Sequence, residues 1–157
     1  MKYISTRGGM SAAPYSAILL EGLATDGGLV VPETVPQVTP EQIESWRGLD
    51  YPQLAAEILS LYATDIPRED LDAMCRAAYS TDKFVSEQIV PVTPLEGASP
   101  IGQISLVGLS EGPTLAFKDM AMQFLGQALE YVLAQSDRTL NIIGATSGDT
   151  GSAAEYA

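Results

Sequence analysis

A chain of 157 residues, with 20 acidic against 8 basic side chains, no His and one Cys, has the length of one domain, or of one domain and part of another. Its net charge of −12 argues against binding to nucleic-acid phosphates or anionic lipid, and without His neither a His-based triad nor a His-ligated metal site can be built from this chain alone. A hydrophobic share of 46% supports folding rather than disorder, and the lone Cys75 precludes an internal disulfide and fits a reducing cytosol.

No stretch approaches the roughly 18 consecutive apolar residues of a membrane span. The N-terminal MKYISTRGGM lacks the long apolar core of a signal peptide. A soluble cytoplasmic protein is expected, with no nucleic acid and no membrane among its partners.

Ala12 to Ala24 carries Ile18, Leu19, Leu20 and Leu23, a short helix-like apolar set. Asp26-Gly27-Gly28 breaks it as a turn. Leu29-Val30-Val31 follows as a short strand closed by Pro32. Thr39-Pro40-Glu41-Gln42 is a helix start: Thr39 caps, Pro40 suits the first helical position, and Gln42 completes a capping box. Tyr51 to Ala63 places Leu54, Ile58 and Leu61 on one face, and Pro67 to Tyr79 places Leu71, Met74, Cys75 and Ala78 on another. Both are amphipathic helices by spacing. The expected core of this mainly helical unit is Leu54, Ile58, Leu61, Leu71 and Met74.

The pattern changes after residue 88. Ile89 to Leu95 is extended, since two prolines bar a helix. Ile104 to Leu109 reads as a strand, Ser110 to Thr114 as a turn, and Leu115 to about Gln135 as a long helix. Leu140 to Ile143 reads as a short buried strand, followed by a loop from Thr146 to Gly151 and the start of another helix. That order opens an α/β domain with a parallel sheet. The expected division is therefore 1–88, a small mainly helical domain, and 89–157, the incomplete start of a parallel-sheet domain. A two-stranded parallel start leaves unpaired edges and an uncovered face. The simplest account is an N-terminal part of a longer enzyme, and the alternative is completion by a partner chain.

Two constellations could carry chemistry. Lys118 is the one lysine between Phe84 and Ala157, and it falls between Phe117 and Asp119 at the start of a helix. The helix dipole disfavours a cation there, and an amine kept unprotonated can attack an aldehyde. By spacing alone, a solvated Lys paired with a nearby acid remains the simpler reading. The second is Gly144-Ala145-Thr146-Ser147-Gly148-Asp149-Thr150-Gly151-Ser152. Backbone N–H groups in such a loop, with a helix N-terminus behind them, make an anion site for carboxylate or phosphate. A plain strand-to-helix turn with Ser/Thr capping is the alternative. Both lie at successive strand-to-helix turns, hence at one edge of a parallel sheet. A reactive amine beside an anion cradle points to Schiff-base chemistry on an anionic carbonyl compound or cofactor.

Gly112-Pro113-Thr114-Leu115-Ala116-Phe117-Lys118-Asp119 closely resembles the lysine motif of the threonine synthase family, and Ala145 to Ala154 resembles its next motif. Ser5-Thr6-Arg7-Gly8 and the run from Glu21 to Pro32 look like that family's N-terminal domain, so the resemblance covers essentially the whole chain. It implies a pyridoxal-phosphate enzyme of the fold-type II class that converts O-phospho-L-homoserine and water to L-threonine and phosphate. By the same resemblance, Lys118 is the Schiff-base lysine and then a proton shuttle. Thr146, Ser147, Gly148 and Thr150 hold the substrate carboxylate, and Asp149 lies near the cofactor's phenolic oxygen. In many members a His precedes the Gly-Pro-Thr; here it is Glu111, so no role of that His carries over. The cofactor's phosphate cup lies later in family members. The chain is therefore expected to need the remainder of its own chain or a partner chain to complete the site. The competing readings are another fold-type II lyase, such as a threonine-synthase-like phospholyase or a threonine dehydratase, and a non-catalytic binding or assembly module.

Overall fold

A computed structural model describes residues 1–97 and 102–157. In chain order the elements are β1 (Tyr3–Ser5), α1 (Tyr15–Leu19), β2 (Val30–Pro32), α2 (Pro40–Ser45), α3 (Tyr51–Ser60), α4 (Arg68–Ala78), β3 (Val92–Pro94), β4 (Ser105–Val107), α5 (Asp119–Ala134) and α6 (Asp149–Glu155). No helix among the described residues is long and apolar enough to cross a membrane.

The N-terminus, whose pairing sequence patterning missed, forms β1 and runs antiparallel to β2, with Ile4 opposite Val31. Three residues are too few for an alternation to register. The turn between them is built around Asp26. Its carboxylate accepts from the Ser5 hydroxyl at 2.7 Å and from the amides of Gly9 and Gly28 at 2.7 and 2.9 Å. A side chain on Gly28 would start 2.2 Å from Ser5 Oγ, so only glycine lets the strands close on this carboxylate.

Capping sets the helix starts. Thr39 and Gln42 exchange the expected pair of bonds at α2, and Asp50 with Gln53 repeats the device at α3. Each cap satisfies donors the helix itself cannot, worth about 1 kcal/mol.

One core unites most of the chain. Ala56 from α3, Leu71, Met74, Cys75 and Ala78 from α4, Tyr79, Phe84 and Ile89 after it, and Phe124 and Ala128 from α5 are all buried together. The expected Leu71 and Met74 are there, 1% and 6% exposed, but Ile58 is 42% exposed. The inward face of α3 runs instead through Tyr51, Ala55, Ala56 and Leu59. Small alanines let α3 and α4 approach closely, and that geometry rotates Ile58 outward. Leu54 and Leu61 are half-buried. Two polar links tie α5 to α4 and its exit: Tyr79 Oη donates to the Met120 carbonyl at 2.9 Å, and Tyr131 Oη to Asp70 at 2.8 Å.

The second half departs from the expected strand pairing. β4 pairs antiparallel with β3, Thr93 opposite Leu106, and both sheets among the described residues are antiparallel pairs. Leu140 to Ile143 is not a strand, and Ile143 is 96% exposed. A strand exists by its ladder bonds, and no neighbouring backbone among the described residues supplies them. The long helix also begins four residues later than its periodicity suggested. Leu115 has φ +59°, which no interior helical residue adopts.

Candidate active site

The turn from Gly112 to Lys118 is closed by the first residue of α5. Asp119 accepts from Thr114 N–H at 2.8 Å and from the Thr114 hydroxyl at 2.7 Å, and it is fully buried. A Cβ on Gly112 would lie 2.5 Å from that of Asp119, so glycine is obligatory for the closure. Lys118 is the cap residue of α5. Its Nζ sits 4.3 Å from the centroid of the Phe117 ring, a cation–π contact worth about 0.5–1 kcal/mol where exposed. The amine makes no ion pair among the described residues, where the salt bridges involve Arg47 and Arg68. The bland expectation of a Lys paired with an acid is thus not what the structure holds.

Lys118 lines a cleft of about 380 Å³, with Tyr51, Leu109, Phe117 and Met122 forming other parts of its wall. Thr150, from the first turn of α6, lines the same cleft. The two constellations therefore meet, although not at one edge of a parallel sheet. They meet because α5 and α6 pack side by side, with Gln123 Nε2 donating to the Tyr156 carbonyl at 3.0 Å.

The loop before α6 is self-organised. Thr146 Oγ1 accepts from Gly148 N–H at 3.2 Å and from Gly151 N–H at 3.1 Å. Gly148 has φ +136°, a conformation essentially restricted to glycine. The amides of Ser147, Asp149 and Thr150 find no protein acceptor among the described residues, as first-turn donors do not. Ser147 and Asp149 are exposed, Thr150 half-buried. Thr146 faces a neighbouring cavity of about 650 Å³ between α5 and α6, which Thr150 also lines. Of the expected loop residues, only Thr150 is brought to the Lys118 cleft; Thr146, Ser147, Gly148 and Asp149 are not.

Two rival nucleophiles are spoken for. Lys83 Nζ donates to Gln123 Oε1 at 2.8 Å. Cys75 is fully buried, and burial pushes its thiol up to about 11, the opposite of an activated thiolate. Sequence reasoning passed over Tyr51, which reaches the Lys118 cleft from the helical half. Its ring meets Tyr79 edge-on at 5.0 Å, and burial raises its phenol above the ordinary range. An aromatic at the first position of a helix carries no mark of chemistry; only the packing of α3 on α4 and of α4 on α5 brings it there.

Residues 2–79 match the family described as the threonine synthase N terminus. Across its full length the chain is 54% identical to a threonine synthase of Corynebacterium glutamicum, covering 33% of that protein, and 51% identical to one of Methylobacillus glycogenes, covering 34%. Among solved structures, 99% of the chain superposes on 32% of a PLP-bound threonine synthase from Brucella melitensis, with a TM-score of 0.89 and 43% identity. The yeast threonine synthase matches with a TM-score of 0.86 and 36% identity. The chain spans about a third of the length of the curated relatives it matches.

Proposed function

The chain belongs to the threonine synthase family, and from that premise we propose that it carries the lysine-bearing part of a pyridoxal-phosphate-dependent threonine synthase. The reaction is conversion of O-phospho-L-homoserine and water to L-threonine and phosphate. The observation that carries this reading is the meeting of Lys118 and Thr150 in one cleft. Residues 1–88 are the N-terminal domain and 89–157 the beginning of the catalytic domain. The remainder of the chain or a partner chain completes the site, and the protein works in the cytoplasm.

The residues present fit the cofactor on one observation: the Lys118 amine stands at the wall of a largely apolar cleft, over an aromatic face and outside any ion pair among the described residues. Lys118 would hold the cofactor aldehyde; Asp149, which the family resemblance puts near its phenolic oxygen, is exposed and lies outside the Lys118 cleft. When bound, pyridoxal phosphate supplies the electron sink that makes loss of a carbon-bound proton feasible.

This chain's own residues then orient the substrate and move protons. The free amides of Ser147 and Thr150, with the α6 dipole behind them, receive the substrate carboxylate. Gly148 allows the turn, and Thr146 holds its shape through the bonds to Gly148 and Gly151. The Lys118 amine would be the base that takes the substrate's carbon-bound proton and the acid that returns it.

The test is an absorbance scan of the intact protein with pyridoxal phosphate, then borohydride reduction, peptide mapping and product assay. The expected result is an imine band, a pyridoxyl label on Lys118, and threonine from O-phospho-L-homoserine. Lys118→Ala should lose band and turnover while keeping the fold. A label on Lys83 or Lys2, or no band, overturns the reading. Phosphate release with 2-oxobutyrate instead of threonine turns it toward a phospholyase.

A further inference from the structure

We propose that Asp119 is a positioning residue for Lys118, acting through a closed hydrogen-bonded clamp on Thr114. The inference rests on the functional reading above and adds a residue to it. A carboxylate removed from water costs several kcal/mol unless its oxygens are satisfied. Asp119 is fully buried, and its partners are the Thr114 amide at 2.8 Å and hydroxyl at 2.7 Å. Both partners lie in the turn that precedes Lys118, so the buried carboxylate serves that turn.

Two further features of the same turn are costly without the clamp. Leu115 is held at φ +59°, in a region that costs about 1–3 kcal/mol for a side-chain-bearing residue. Gly112 is pressed so close that a Cβ would start 2.6 Å from Asp119 Oδ2. On the far side, Met122 N–H donates to the Lys118 carbonyl at 3.0 Å, which fastens Lys118 to α5. That helix is anchored in the core by Phe124 and Ala128. The Lys118 backbone is therefore fixed from both directions, by the clamp before it and the helix after it. Asp119 itself does not line the cleft that Lys118 lines, and neighbouring helical side chains diverge, so its effect passes through the backbone.

The experiment compares the intact protein with Asp119→Ala, Thr114→Val and Thr114→Ser. Valine keeps the shape of threonine but removes the hydroxyl donor; serine keeps the donor. The readouts are the rate and pH midpoint of borohydride-trapped pyridoxyl labelling at Lys118, and kcat and KM separately. Thr114→Val and Asp119→Ala should slow labelling and lower kcat by about tenfold or more. The labelling midpoint should shift, and KM should change less than about twofold. Thr114→Ser should restore the parent behaviour. A merely structural role would reduce the folded fraction but leave the labelling midpoint unmoved. If Asp119→Ala does not fold, the valine–serine pair decides alone. Parent-like labelling and kcat in Thr114→Val overturns the clamp and leaves the function standing. An unlabelled Lys118 in the parent overturns both.

Discussion

The Lys83 ammonium donates at 2.8 Å to the side-chain oxygen of Gln123, a residue with no exposed surface, across 40 residues of chain. The other end of the same amide donates to the Tyr156 carbonyl at 3.0 Å. One buried side chain thus joins the segment after α4, the middle of α5 and the end of α6. Gln123→Ala should cost about 1–3 kcal/mol, because it strips partners from groups already withdrawn from water. Urea denaturation would measure it. A change within about 0.5 kcal/mol would mean the bridge has no energetic weight.

Core position separates two residues that look alike in sequence. Leu71→Ala should cost about 2–5 kcal/mol, since Leu71 is 1% exposed among α4, α3 and α5. Ile58→Ala should cost less than about 1 kcal/mol, since Ile58 is 42% exposed. Equal losses for the two would refute the observed rotation of α3.

Acid should loosen the N-terminal hairpin. Donation from the Ser5 hydroxyl, then from the Gly28 and Gly9 amides, lowers the Asp26 carboxyl below its ordinary value. The unfolded-state value is about 3.9. The stabilisation is therefore complete above that pH and is lost as pH falls through the lower folded-state value. Melting curves of the parent and Asp26→Ala should differ near neutrality and converge in acid. A difference independent of pH would show that the carboxylate charge is not what holds the turn.

The loop before α6 offers a kinetic check. Gly148 has φ +136° with open space around its Cβ position, so a side chain there meets no clash but a strained backbone, about 1–3 kcal/mol. In the intact protein, Gly148→Val should raise KM for O-phospho-L-homoserine while the protein still folds. An unchanged KM in a folded Gly148→Val protein removes the loop from substrate binding.

Local chemistry was readable without coordinates wherever the information is short-range. The Thr39–Gln42 capping box, the Asp26-Gly27-Gly28 turn and the helical spans around Leu71 and Phe124 follow from side-chain spacing and backbone preference, which act over a few residues. So does the placement of Lys118 at a helix start, whereas Thr150, expected in the loop, lies in the first turn of α6. Long-range partners could not be read this way. That Leu140 to Ile143 stays unpaired while β3 takes β4, that Ile58 turns outward and Ala56 inward, and that Tyr51 reaches the wall beside Lys118 each depend on which surfaces meet in space. Ladder bonds and close packing are made between segments far apart in the chain, and an apolar residue bears no mark of which neighbour will bury it.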